Sequence, residues 1–144
     1  METMRQITLT AALTLAAWAA LAGQATAQAS PVQPVTRMYS DTQGETHIET
    51  VMMDVGQSVG FSATGTTYFF RFAADMNLDW HPAPRRQFII TLSGPGYEIE
   101  TSDGSLAQLP PGSVLLVEDT NPEHRGHQTR SLGNETLVMF VPID

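Results

Sequence analysis

The side chains with chemistry to offer fall into two segments. The first, Asp79-Trp80-His81-Pro82-Ala83-Pro84-Arg85-Arg86-Gln87, carries an imidazole, two guanidiniums and an amide. The second ends the apolar run Val114 to Val117 with Glu118 and Asp119, then carries His124 and His127. Imidazole titrates near neutrality, so His81 and His127 are the candidate proton carriers. A glutamate buried at 118 would have a raised pKa and would serve as a third catalytic group. An ion pair with Arg85 or Arg130 is the competing use of Glu118. Arg85 and Arg86 face opposite ways on an extended chain, and an inward one would offer a planar fork to a carboxylate or enolate. Pairing with Asp79 or Glu118 on the surface is the alternative. Trp80 would wall a pocket or fill core.

Other chemistries are excluded. No Gly-x-Ser-x-Gly elbow is present, and the absence of cysteine removes thiol nucleophiles and disulfides. There is no Walker-type phosphate loop and no His-Glu-x-x-His pair. Gly94-Pro95-Gly96 is a turn, since no helical pattern follows it.

The elements that must position these residues are short strands. Apolar runs recur about every eight to twelve residues, separated by glycine, proline or aspartate, which predicts an all-β sandwich or barrel. The expected strands are His47 to Met53, Ser58 to Ala63, Thr67 to Phe72, Phe88 to Leu92, Tyr97 to Thr101, Leu106 to Leu109, Val114 to Glu118, Gly126 to Arg130 and Thr136 to Val141. Asp103-Gly104 predicts a tight hairpin between two of them. Ala73 to Leu78 is the one place suited to a helical turn. His124 and His127 are an odd step apart, so one should face inward, and His127 sits in the more regular strand context. His124 is expected to be exposed.

The chain has 144 residues, enough for one domain. Met1 to Arg5, the apolar Ile7 to Ala22 and Ala25-Thr26-Ala27 together read as a cleavable secretory signal over residues 1–27, with an uncleaved anchor as the alternative. A periplasmic or secreted protein follows, with no stable membrane association after cleavage. Residues 28–45, which include Pro31 and Pro34, are expected to be an extended lead-in, flexible or laid on the surface, ahead of a barrel domain at 46–144. A formal net charge of −8 argues against nucleic-acid partners, which require basic patches.

Together the two segments resemble the cupin superfamily, single-domain jelly-roll barrels also described as double-stranded β-helices. Gly104, Pro110 and Gly112 match the family's second motif in spacing, with His124 or His127 as its closing histidine. In the first motif His81 stands at the first histidine, Ala83 at the second, Gln87 at the glutamate and Gly94 at the glycine. The resemblance implies a barrel interior holding a small organic molecule. It also implies a divalent transition metal (Fe, Mn, Ni, Cu or Zn) on His81, Gln87 and His127. Those three form a thinned ligand set needing help from Glu118, Asp119 or His47. A lumen-facing Gln87 would share its face with Ile89 and Thr91, a moderately apolar wall where Trp80, Arg85 and Gln87 would contact substrate. Metal-assisted or acid–base enzymology, isomerase- or oxygenase-like, is one expectation, and non-catalytic binding is another. A homodimer through a Thr136 to Val141 sheet edge is a third.

Overall fold

The computed structural model describes residues 31–54 and 62–144, which form ten β-strands and no helix. The expected signal, residues 1–27, and most of the expected strand from Ser58 lie outside the described residues. In order the strands are β1 (Val32–Ser40), β2 (Thr46–Asp54), β3 (Tyr68–Phe72), β4 (Asn77–His81), β5 (Gln87–Ser93), β6 (Tyr97–Thr101), β7 (Leu106–Leu109), β8 (Val114–Glu118), β9 (His127–Ser131) and β10 (Thr136–Pro142). A six-stranded sheet runs β2-β1-β8-β5-β10-β3, and a four-stranded sheet runs β4-β9-β6-β7. Without the β1–β2 hairpin, the remaining strands split four and four between the sheets in jelly-roll order.

Alternation along each strand decides which side chains fill the space between the sheets. On β5, Gln87, Ile89 and Thr91 are buried while Phe88 and Ile90 are half-buried on the other side. The inner layer takes Met38 from β1, Leu115 and Val117 from β8, Val138 from β10 and Tyr97 and Ile99 from β6. A second cluster, Val35, Leu116 and Ile143, packs with Phe88, Val114 and Val141. Fully burying each such aliphatic side chain contributes about 1.5–3 kcal/mol. The Asp103-Gly104 turn joins β6 to β7 as the sequence predicts, with the Thr101 N–H donating to the Ser105 carbonyl at 3.0 Å.

Three expectations are corrected. The described part of the expected lead-in at 28–45, residues 31–45, belongs to the folded domain. Val32–Ser40 forms β1, extended as expected but paired with β2 and, in parallel, with β8, so that Met38 is fully buried. Pro34 is tolerated because β8 pairs only with Thr36 to Tyr39, and a proline can occupy a stretch with no ladder on one side. Ala73 to Leu78 is a tight turn running into β4, closed by the Met76 N–H on the Ala73 carbonyl at 3.1 Å. Finally, Thr136 to Val141 is not a free edge. It lies within β10, between β5 and β3, so the terminal strand at that end is β3.

Candidate functional site

A cavity of about 270 Å³ opens between the sheets, near the β3 and β4 ends. Its wall on β3 and β10 is aromatic. Tyr68 stacks on Phe140 at 5.0 Å, Phe70 meets Phe140 edge-on at 6.2 Å, and Phe72 meets Tyr97 edge-on at 5.1 Å. Such offset and edge-on pairs hold rings in fixed orientations. Tyr68, Phe70 and Leu78 line the cavity while remaining partly exposed, which places them at its mouth. No Arg, Lys, Asp or Glu is among the lining residues.

One part of this apolar chamber is polar. His81 ends β4 and His127 begins β9; the two are ladder partners, with ring centroids 4.5 Å apart. A register shift between Leu78 and His81 lets both side chains line the cavity, although an uninterrupted strand would turn them to opposite faces. Gly126 makes the junction possible. It sits at φ +75°, and a Cβ there would overlap the His81 carbonyl and the Pro82 nitrogen.

Both imidazoles are fixed by their Nδ1 atoms. His81 Nδ1 lies 2.7 Å from the Asp79 carbonyl oxygen, which only accepts, so His81 carries its proton on Nδ1. His127 Nδ1 lies 2.6 Å from Asp119 Oδ2, with Asp119 fully buried and the His127 side chain 8% exposed. An ionised carboxylate also only accepts, so His127 takes the same tautomer. Each Nε2 is then a lone-pair acceptor with no hydrogen-bond partner among the described residues. Gln87 lines the same cavity, and its Oε1 is buried without a partner. Tyr97 contributes a ring edge, and burial pushes its hydroxyl pKa up. Its OH and the Thr91 hydroxyl lie near each other without reaching hydrogen-bond geometry.

His81, Gln87 and His127 therefore meet around one cavity, but the other candidates do not join them. Glu118 points to the opposite face from Leu115 and Val117. It accepts hydrogen bonds from Arg37 at 2.5 Å and Arg86 at 2.6 Å. Burial raises its pKa, but the two guanidiniums outweigh this and hold it below the ordinary glutamate value. Glu118 is thus a paired carboxylate, with partners other than Arg85 or Arg130, and not a cavity acid or base. Arg85 is exposed and does not line the cavity. Trp80 lies outside as well, under the Arg125 guanidinium at 3.7 Å, an arrangement that favours a cation. His124 is half-buried rather than exposed, 3.0 Å from Asn121 and outside the cavity. His47 is engaged by Asp41 and Asp103.

Asp119, which the sequence offered only as a helper to a metal set, instead holds the His127 ring. It shares strand parity with Leu115 and Val117, the inward residues of β8. Reading that run with its odd positions inward would have found it.

The donor set does not fit the metal centre that the cupin resemblance implies. Ala83 lines the cavity where a histidine would stand and offers no donor. Gln87 offers a neutral amide, and no carboxylate faces the cavity. Among the described residues no three His, Cys, Asp or Glu side chains gather as a metal site. Two neutral imidazoles and an amide give a divalent ion little Coulomb attraction.

The pairing of β8-β5-β10-β3 against β4-β9-β6-β7 decides the architecture. The fold is a two-sheet jelly roll. Three solved structures are among those similar to this chain. A protein from Neisseria meningitidis has 14% identity, coverage of 78% of this chain and 83% of that one, and a TM-score of 0.40. A cupin domain from Bordetella pertussis Tohama I has 14% identity, coverage of 77% and 93%, and a TM-score of 0.41. An RmlC-like cupin protein from Desulfovibrio desulfuricans has 18% identity, coverage of 76% and 83%, and a TM-score of 0.38. No protein-family model and no curated protein matches the chain. Residue roles in this jelly roll accordingly rest on its own geometry.

Proposed function

We propose that this protein binds a small organic molecule in its barrel and moves a proton on it, with His127 as the base. The observation that carries the reading is the buried Asp119–His127 pair at the wall of an apolar chamber. Asp119 holds the imidazole in one tautomer, so Nε2 accepts the proton. As Nε2 becomes protonated, the carboxylate stabilises the imidazolium that forms. The proton leaves a C–H or O–H of the ligand and returns to a different atom, so the net reaction is an isomerisation with no redox change. His81, fixed by the Asp79 carbonyl, offers a second acceptor for the ligand. The aromatic wall shields these steps from water, and its low polarity strengthens the interactions at the histidines.

A second reading is binding without turnover, favoured by the loss of donors at Ala83 and Gln87. Hydrogen–deuterium exchange separates the two. Ligands found by thermal-shift screening of the mature protein would be incubated in D2O and followed by NMR. The catalytic reading expects exchange at a ligand carbon that falls at least about a hundredfold in His127→Ala. Equal exchange with the variant would remove His127 as the base, and binding without exchange would favour the second reading.

A further inference from the structure

We infer that the ligand is an uncharged planar molecule bearing a hydroxyl, a phenol or an enol, which donates its O–H to His127 Nε2. This deepens the proposed function and rests on its premise that the cavity takes a small organic molecule.

Charge narrows the class first. Arg37 and Arg86 are held by Glu118, Arg71 pairs with Glu135, Arg125 covers Trp80 and Arg130 pairs with Glu98. With Arg85 exposed as well, no described cation reaches the chamber. A carboxylate or phosphate would be desolvated there without a partner, beside the buried Asp119. An organic cation fares little better. Asp119 lies behind His127 with Oδ2 already engaged, so no anion faces the cavity to replace lost hydration.

Hydrogen-bonding capacity narrows it further. Both histidines present Nε2 lone pairs, so the ligand must bring a donor. Gln87 can either donate or accept, which suits the other face of a hydroxyl oxygen. The flat walls from Tyr68, Phe70, Phe72 and Phe140 suit a planar body, and the chamber lies near the lower end of small-molecule sites, about 300 Å³.

The test is isothermal titration of the mature protein at neutral pH with four probes of one shape: 2-naphthol, 2-naphthoate, 2-naphthylmethylammonium and naphthalene. 2-Naphthol is expected to bind at least tenfold tighter than each of the others. His127→Ala should remove that advantage, so that 2-naphthol and naphthalene bind alike in the variant. Should that variant fail to fold, an absorbance titration of bound 2-naphthol by the unaltered protein replaces it. Losing the naphthol proton to solvent, with both imidazoles neutral, would leave the naphtholate without a cation, so its ionisation should move to higher pH than in water. Tighter or equal binding of the carboxylate, the ammonium or naphthalene overturns the ligand class and leaves the binding cavity standing. A downward shift of the naphthol ionisation does the same. If no probe binds, the cavity reading fails and takes this inference with it.

Discussion

Asp119 Oδ2 lies 2.6 Å from His127 Nδ1, and this contact joins the end of β8 to the start of β9 inside the protein. It fixes a tautomer and gives Nδ1 and Oδ2 their partner, while Asp119 Oδ1 stays buried without one. The Asp119 backbone carbonyl also accepts the Ala83 N–H at 3.0 Å, so the same residue anchors the segment between β4 and β5.

Removing the carboxylate should therefore be costly. Asp119→Ala leaves the His127 Nδ1–H buried without its partner, and a loss of about 3 kcal/mol is expected in urea unfolding. A loss below about 0.5 kcal/mol would show that the pair is not desolvated.

Gly126 should tolerate no side chain. In Gly126→Ala the new Cβ meets the His81 carbonyl, at a φ of +75° that L residues rarely adopt. A destabilisation of at least about 2 kcal/mol is expected, together with loss of ligand binding. Gly104→Ala is the control, since φ is +85° but nothing lies within 4 Å. It should cost about 1 kcal/mol and leave binding intact. Equal costs in the two variants would mean that close approach to His81 is unimportant.

Restoring donors should restore metal affinity. The untagged protein, loaded with Fe, Mn, Ni or Zn and then dialysed, is expected to retain clearly sub-stoichiometric metal. Ala83→His combined with Gln87→Glu adds an imidazole and a charge to the cavity wall and should retain about one equivalent. Stoichiometric metal in the unaltered protein, measured by atomic emission, would contradict the account of the donor set.

A pH-dependent clasp is expected away from the cavity. His47 Nδ1 lies 2.8 Å from Asp103 Oδ2 and Nε2 lies 2.9 Å from Asp41 Oδ2, tying the β1–β2 hairpin to the β6–β7 turn. The other neighbours are the Tyr39 ring, and Glu45, which accepts from Ser102 at that junction. Only an imidazolium can donate to both carboxylates. The hydrogen bonds that His47 donates to Asp41 and Asp103 raise its pKa. The His47 hydrogen bond lowers Asp41 to about 2. Burial opposes the shift at Asp103, but hydrogen bonds from Ser105, Thr101 and His47 bring it to about 2. The histidine contribution is thus complete below the ordinary value of 6.5 and fades as pH rises through the raised one. The carboxylate contribution is complete above 3.8 and fades as pH falls towards about 2. Urea midpoints should be higher near about pH 5.5 than near about pH 8.5, with the gap narrowing in salt and closing in His47→Asn. An unchanged gap in that variant would assign the pH dependence to other groups.

Much of the fold was legible in the sequence. Tyr97–Thr101, Leu106–Leu109 and Val114–Glu118 form where their apolar runs and turn residues place them. Period-two alternation and Asp-Gly chemistry act between near neighbours, so they can be read without knowing the fold. The same local logic missed β1, where Pro34 inside the strand and Pro31 just before it suggest a loop until β2 and β8 supply partners on either side. It also missed β4, a strand of mixed polarity held by pairing with β9.

By itself, the sequence determined that the chain makes many short strands and that His81, Gln87 and His127 are the residues to watch. Only the tertiary structure decided which carboxylate serves them. Glu118 and Asp119 are neighbours in the chain, yet a strand turns successive side chains to opposite faces. One face of β8 meets Arg37 and Arg86; the other meets the inner layer and His127. That assignment depends on which sheet face looks inward, which long-range packing settles and local pattern does not.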